Sequence, residues 1–278
     1  MSYKIVSDSA VNLRKQKGQI AYASVPLKIM AGDKEFTDDD SLDVQGMVNY
    51  MSGYKGKSGT ACPGTMDWIQ AFGEADTVFC VTITSGLSGS YNSARVAKEE
   101  YEEMHPGRRV FIVDSLSAGP EMEMIVDKLD ELISQGKDYE EICDGIMAYK
   151  EKTGLMFSLE SLTNLANNGR VSPVVAKIAG VLGIRIVGRA SDKGQLDPMD
   201  KCRGEKKALA AICKRMKELG YAGGKVRIDH CNNKVAADNL KELILQEYPG
   251  AEVAMGVTYG LCSFYAEQGG LMVGFEKE

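Results

Sequence analysis

The residues best suited to chemistry lie in Thr84-Ser85-Gly86-Leu87-Ser88-Gly89-Ser90-Tyr91-Asn92-Ser93-Ala94. Four serines and a threonine share this stretch with two glycines. It follows an apolar run, Thr77–Ile83, and leads into a helical pattern. In open α/β sheets, ligands bind where strands end and helices begin. Small residues let backbone N–H groups converge, and a helix N-terminus favours an anion. Together these features suit a carboxylate or phosphate head group. A serine-rich cap for the following helix is the plainer reading, although one cap needs only one hydroxyl. The stretch lacks the GxxxxGK[ST] of a P-loop. It also lacks the second glycine of a GxSxG nucleophile elbow. Asp229-His230 would complete a Ser…Asp…His order. Neighbours on a strand point to opposite faces, however, which argues against a serine hydrolase.

Three further segments have reactive or polar residues. In Ser58-Gly59-Thr60-Ala61-Cys62-Pro63-Gly64, a hydroxyl and a thiol stand before a proline-initiated helix. No neighbour supplies the base a nucleophilic Cys62 needs, and a turn with a cap explains the segment equally well. In Asn167-Asn168-Gly169-Arg170, Gly169 reads as a helix C-cap. Arg170 then faces solvent or an anion pocket. In Tyr259–Gly274, Gly269-Gly270 permits close backbone approach before a final strand, and Tyr265 is either packed or set near a site.

The elements that must position these residues follow from periodicity. Lys4–Val6 reads as a first strand and Ala21–Met30 as a second extended stretch, turned at Gly32-Asp33. Ser41 or Asp43 caps a helix to about Met51. Gly53–Gly59 reads as a loop, and Pro63-Gly64 opens a helix through Phe72. The runs Thr77–Ile83 and Val110–Val113 flank a helix from Ser90 to Met104. That is a βαβ unit with a parallel sheet covered on both faces. Helices from Glu121 to Ser134 and from Asp138 to Tyr149 follow. The charged stretch Lys150–Gly154 marks a domain boundary.

Beyond it the rhythm changes. Leu155–Leu159 reads as a strand, and helices follow over Leu162–Asn168 and Val174–Leu182. Asp192-Lys193-Gly194-Gln195 lies between strands Ile184–Arg189 and Leu196–Cys202 as a hairpin turn. A helix over Arg203–Leu219 and strand Val226–Cys231 come next, then helix Val235–Glu247 and strands Glu252–Val257 and Leu271–Glu276. The fold class is therefore α/β with two domains. Residues 1–152 form an N-terminal α/β/α parallel-sheet domain, and residues 153–278 form a C-terminal α+β domain with a mixed or antiparallel sheet.

Composition narrows the function classes. The length of 278 residues is about 1.9 times the 150 typical of one domain. Apolar residues make up 44% and charged residues 26%, which is enough for a large core and excludes global disorder. A net charge of −6 and the lack of a basic tail argue against nucleic acid as a partner. No apolar run reaches the roughly 20 residues of a membrane span, and the N-terminus has no secretory pattern, so a cytoplasmic location is expected. Seven scattered cysteines without CxxC pairs fit reduced thiols. Two histidines, His105 and His230, leave little for a metal site, and none is expected.

In their order, these motifs resemble the DegV family of bacterial fatty-acid-binding proteins over essentially the whole chain. The carriers are Ser7-Asp8-Ser9, Thr60-Ala61-Cys62-Pro63-Gly64, Thr84–Ala94, Asp114-Ser115, Glu160-Ser161-Leu162 through Gly169-Arg170-Val171, and His230 before the penultimate helix. The resemblance implies one long-chain fatty acid in a tunnel between the domains. Its carboxylate would lie on the Thr60 and Ser85–Gly89 segments, with Ser88 and Gly89 among the ligands and Arg170 near the mouth. It further implies a protein that catalyses nothing alone, needs no cofactor, and presents the carboxyl group to a partner kinase for phospholipid synthesis. A monomer is the expected state. Two positions of the family's Thr-Ser-x-Pro-Ser motif have lost a hydroxyl, as Ala61 and Gly64. Tyr265 aligns with the histidine of its His-x-Gly-Pro-Gly motif. The competing reading is an enzyme acting on a small phosphate or acyl substrate through the same serine-rich loop.

Overall fold

The computed structural model describes residues 2–14, 18–172 and 183–278. The helix expected over Val174–Leu182 lies outside the described residues.

A four-stranded parallel sheet forms the first half. Its strands β1 (Tyr3–Asp8), β2 (Ala21–Val25), β6 (Thr77–Thr82) and β7 (Arg109–Asp114) run in the order β2-β1-β6-β7. β6 is buried along its whole length, as a central parallel strand must be. Helices α2 (Thr65–Phe72) and α3 (Ser90–Met104) cover one face, with Trp68, Phe72, Ala97 and Tyr101 against Val6, Val78 and Cys80. Helices α4 (Pro120–Ser134) and α5 (Tyr139–Glu151) cover the other, with Ile125, Leu129 and Ile142 against Ile5, Phe79 and Val113. This is the expected α/β/α layering. Asp138 opens α5 with a reciprocal capping box to Glu141.

The stretch 21–30, expected as one extended segment, is two strands in different sheets. β2 ends at Val25, and β3 (Lys28–Ala31) joins β4 (Lys34–Thr37) and β5 (Ser58–Ala61) in a small antiparallel sheet ordered β4-β3-β5. Pro26 separates the two strands; lacking an N–H, it cannot continue a ladder. The expected Gly53–Gly59 loop accordingly gives way to β5 at Ser58. Between β4 and β5 runs α1 (Val44–Gly53), capped by Asp43 on the Gly46 N–H.

The second half builds a six-stranded mixed sheet from β8 (Thr153–Leu159), β9 (Ile184–Ala190), β10 (Leu196–Arg203), β11 (Lys225–His230), β12 (Glu252–Val257) and β13 (Leu271–Glu276). Its order is β10-β9-β8-β13-β11-β12, antiparallel except for β11 with β12. Helices α7 (Glu205–Glu218) and α8 (Lys234–Glu247) cover one face through Leu209, Ile212, Ala237 and Leu240. The short α6 (Thr163–Asn167) ends at Gly169, whose φ of +73° confirms the C-cap reading.

The sequence reading missed strand β4 and helix α9 (Gly260–Ala266), the latter buried almost throughout. A short heptamer whose only break in apolar or small residues before Tyr265 is Ser263 offers no helical periodicity to detect. Its N-terminus depends on a distant residue. Asp38, itself buried, accepts the N–H groups of Gly260 and Leu261 at 2.9 Å each and pairs with Arg14 at 2.8 Å. These bonds draw the two halves together. Asn12 adds another tie, donating to Asp229 at 2.9 Å and accepting the Tyr259 N–H at 3.0 Å.

Candidate functional site

Between the halves lies an apolar cavity enclosing about 830 Å³ of empty space, its open mouth included. Its floor is one face of β8. Side chains alternate along a strand, so Leu155, Phe157 and Leu159 all face the same way, and all three line the cavity. Met272 of β13 extends that floor. The first half contributes Leu27, Ile83, Leu87 and Leu116, and α9 closes one side through Leu261, Cys262 and Ala266.

Thr60, Ser88, Arg170 and Tyr265 form a polar group on the wall, which Thr84, Ser117 and Gln195 also line. The Thr60 and Tyr265 hydroxyls are 2.8 Å apart. Burial pushes the Tyr265 phenol up, while Thr60 and the nearby Arg170 charge pull it down. Arg170 donates from Nε to the Leu87 carbonyl at 3.1 Å and also bonds the Asn168 carbonyl. Ser88 lines the same space, and its Oγ accepts the Ser90 N–H at 3.2 Å. Two hydroxyls, a serine and a guanidinium thus stand together on the wall of a greasy slot. Such a set suits a carboxylate, the guanidinium adding charge-assisted hydrogen bonding.

The serine-rich loop is held from beneath by Asp8. This buried carboxylate accepts the Ile83 N–H at 2.9 Å, the Ser90 hydroxyl at 2.6 Å and the Ala10 N–H at 3.3 Å. Burial pushes its pKa up to about 7 against those hydrogen bonds. Asp8 therefore ties the end of β6 to the start of α3 and sets the loop between them. From above, the β9–β10 hairpin presses on the loop: Thr84 Oγ1 donates to the Gly194 carbonyl at 2.9 Å.

Of the six expected site residues, Thr60, Ser88, Arg170 and Tyr265 line this cavity together. Ser85 and Gly89 are exposed and do not. The Ser85 backbone N–H donates to Asp114 Oδ1 at 3.1 Å. A β-carbon on Gly89 would lie 3.3 Å from Cys62 Sγ. Asp229 and His230 lie apart from the serine-rich loop, with Asp229 on Asn12 and His230 Nδ1 accepting the Asn233 N–H at 3.3 Å. Among the described residues the cysteines are unbridged, no His, Cys, Asp and Glu cluster suits a metal, and no helix is long and apolar enough to cross a membrane. The sequence reading overlooked Gln195, Cys262 and Met272 as wall residues. The alternation Leu155-x-Phe157-x-Leu159 was the available sign of a strand with one face on an apolar space.

Comparison with known proteins agrees with this geometry. The model of a family described as an uncharacterised protein of the DegV family matches residues 2–278. A DegV domain-containing protein of Streptococcus pyogenes serotype M3 is 44% identical, aligned over 99% of this chain and 100% of its own length. A DegV family protein from Eubacterium eligens, crystallised loaded with heptadecanoic acid, is 45% identical with a TM-score of 0.97, each chain covered in full. The Streptococcus pneumoniae Fatty Acid Kinase (Fak) B3 protein, loaded with linoleic acid, is 42% identical with a TM-score of 0.98, again over 100% of both chains.

Proposed function

This chain belongs to the DegV family, and on that premise we propose that it binds one long-chain fatty acid and presents its carboxyl group to a partner kinase. One observation carries the reading: an apolar slot between the two halves on whose wall Thr60, Ser88, Arg170 and Tyr265 form a polar group, the Thr60 and Tyr265 hydroxyls in contact and Arg170 on the Leu87 carbonyl next to Ser88. The carboxylate sits there, on the Thr60 and Tyr265 hydroxyls, Ser88 and Arg170. The acyl tail runs along β8 over Leu159, Phe157 and Leu155. Residues 1–152 and 153–278 act as the two domains that enclose it. The likeness to the fatty-acid-loaded proteins of E. eligens and S. pneumoniae supports this reading.

Burial supplies the affinity. At about 0.8 kcal/mol per methylene, fifteen methylenes offer roughly 12 kcal/mol before the costs of binding. Release is then slow, and exchange requires the walls to part. The protein works in the cytoplasm as a monomer without a cofactor and performs no chemistry itself; the phosphoryl transfer belongs to the kinase. Ser85, exposed and off the cavity wall, is open to a partner.

The test is mass spectrometry of an organic extract of the protein purified from a bacterial host. One equivalent of a long-chain fatty acid is expected. A well-folded protein with an empty extract that also fails to take up added hexadecanoic acid would overturn the proposal. Turnover of a model ester or phosphate, lost in Ser88→Ala, would replace it with the enzyme reading.

A further inference from the structure

The floor of the cavity does not stop at Leu155. The same face of β8 continues to Thr153, two residues further along. There it enters a second, polar pocket of about 660 Å³, its opening included. Leu116, Leu155 and Ala190 line both spaces. Leu155 and Ala190 are neighbours in register on β8 and β9, since Met156 pairs with Arg189 in that antiparallel ladder. The two spaces thus lie end to end along one strand face. From Leu159 to Thr153 that face measures roughly 20 Å at about 3.3 Å per residue.

The partition is thin and unusual. Ala190 presents only a methyl group. Leu116 has a φ of +54°, a left-handed conformation that costs a leucine about 1–2 kcal/mol. Strain of this kind persists where the surrounding structure enforces it, often at ligand sites. Here the Leu116 backbone is pinned by its N–H to Asp114 Oδ1 at 3.2 Å and by Gly194, whose added β-carbon would lie 3.0 Å from Leu116 Cα.

Beyond the partition the walls change character. Lys150, Arg189 and Lys277 bring cationic groups to the polar pocket and Glu121, Glu151 and Asp192 bring acidic ones, with Arg189 paired to Asp192 and Asp197. Lys150 Nζ donates to the Asp114 carbonyl at 3.1 Å. The Thr153 hydroxyl donates to Glu121 Oε1 at 2.7 Å, and burial raises the Glu121 pKa. A methyl terminus gains nothing from such walls. A terminal oxygen finds the Lys150 and Lys277 ammonium groups there, and a terminal hydroxyl can also donate to the acidic side chains.

We propose that the cavity and this pocket form one bipartite site, whose second compartment receives the far end of an acyl chain that carries a terminal hydroxyl or carboxylate. The inference rests on the fatty-acid reading above and extends it to ω-oxygenated chains as a ligand class. The first carboxylate takes the Thr60–Arg170 group, the methylenes cover β8, and the far oxygen passes Ala190 to reach Lys150.

The test is competition against a fluorescent fatty acid on the delipidated protein. The competitors are hexadecanoic acid, 16-hydroxyhexadecanoic acid and hexadecanedioic acid. Both ω-oxygenated acids are expected to bind within threefold of hexadecanoic acid. In Lys150→Met the diacid is expected to weaken at least tenfold and hexadecanoic acid to stay unchanged, with Lys277→Met as the second variant should the first fail to fold. An apolar dead end would instead penalise both oxygenated acids roughly tenfold or more, because a buried polar group would lack a partner. That result, or equal weakening of all three ligands in the folded variant, overturns the proposal. Failure of hexadecanoic acid itself to bind would instead strike the fatty-acid reading.

Discussion

Gly194 has no room for a β-carbon: an added one would lie 1.9 Å from Thr84 Oγ1, the hydroxyl that donates to the Gly194 carbonyl at 2.9 Å. The contact joins the β9–β10 hairpin of the second half to the serine-rich loop of the first. Gly194 also has a φ of +66°, so an alanine is strained there whatever the space. Hairpin and loop are both walls of the cavity, and prying them apart opens it.

Gly194→Ala is therefore expected to lower the melting temperature by several degrees and to speed ligand exchange at least tenfold. Stopped-flow transfer of a fluorescent fatty acid to acceptor vesicles reads the second effect. An unchanged exchange rate in a folded variant would show that the hairpin is no gate.

Thr60→Val keeps the size of the side chain and removes the hydroxyl that meets Tyr265 at 2.8 Å. A hydrogen bond to a charged group contributes about 1.5–3 kcal/mol, so fatty-acid affinity should fall roughly 10- to 100-fold. Tyr265→Phe should act alike. If the two hydroxyls serve one carboxylate, the double variant loses less than the sum of the single losses. Strict additivity in equilibrium titrations would place them in independent roles.

Asp38→Ala leaves Arg14 without its carboxylate and the first N–H groups of α9 without an acceptor. Breaking a buried pair from one side costs about 3–5 kcal/mol. The midpoint of urea unfolding should drop accordingly. A loss under about 1 kcal/mol would show that water replaces the carboxylate freely.

Asp229 gives the protein a stability that depends on pH. Burial pushes its carboxyl up to about 6, with Arg227 and Asn12 opposing the shift. In the unfolded chain it titrates near ~3.9. The folded state therefore holds this proton more tightly. Its contribution is complete below about pH 4 and is lost as pH rises through 6. Asp229→Asn removes that dependence. The melting temperature of the variant relative to wild type should climb between pH 4 and 6 and level off above. A difference that stays flat over that window would assign the titration elsewhere.

Much of the fold was legible in the sequence because local rules suffice for it. The run Thr77-Val78-Phe79-Cys80-Val81-Thr82 can only be a strand covered on both sides, and it is. Asp138 with Glu141, and Gly169 after Asn168, mark helix ends through their own side chains or backbone freedom. The α/β/α first half and the mixed second sheet follow from such pieces. The choice of Thr60, Ser88, Arg170 and Tyr265 comes instead from the resemblance to the DegV family, because their residue types alone leave a turn, a surface arginine and a packed tyrosine open.

Only the tertiary structure decided how those pieces meet. Thr60 and Tyr265 are 205 positions apart, and nothing near either one predicts a hydrogen bond between them. Ser85 and Ser88 look alike along the chain, yet one faces solvent and the other the cavity, because the turn from β6 into α3 points them differently. The helix α9 depends on Asp38, a residue of another layer. The polar pocket behind Leu155 exists because β8, β9 and the loop after β7 converge there. Periodicity and caps are written in neighbouring residues; a cavity and its contents are set by packing between elements that local sequence cannot see.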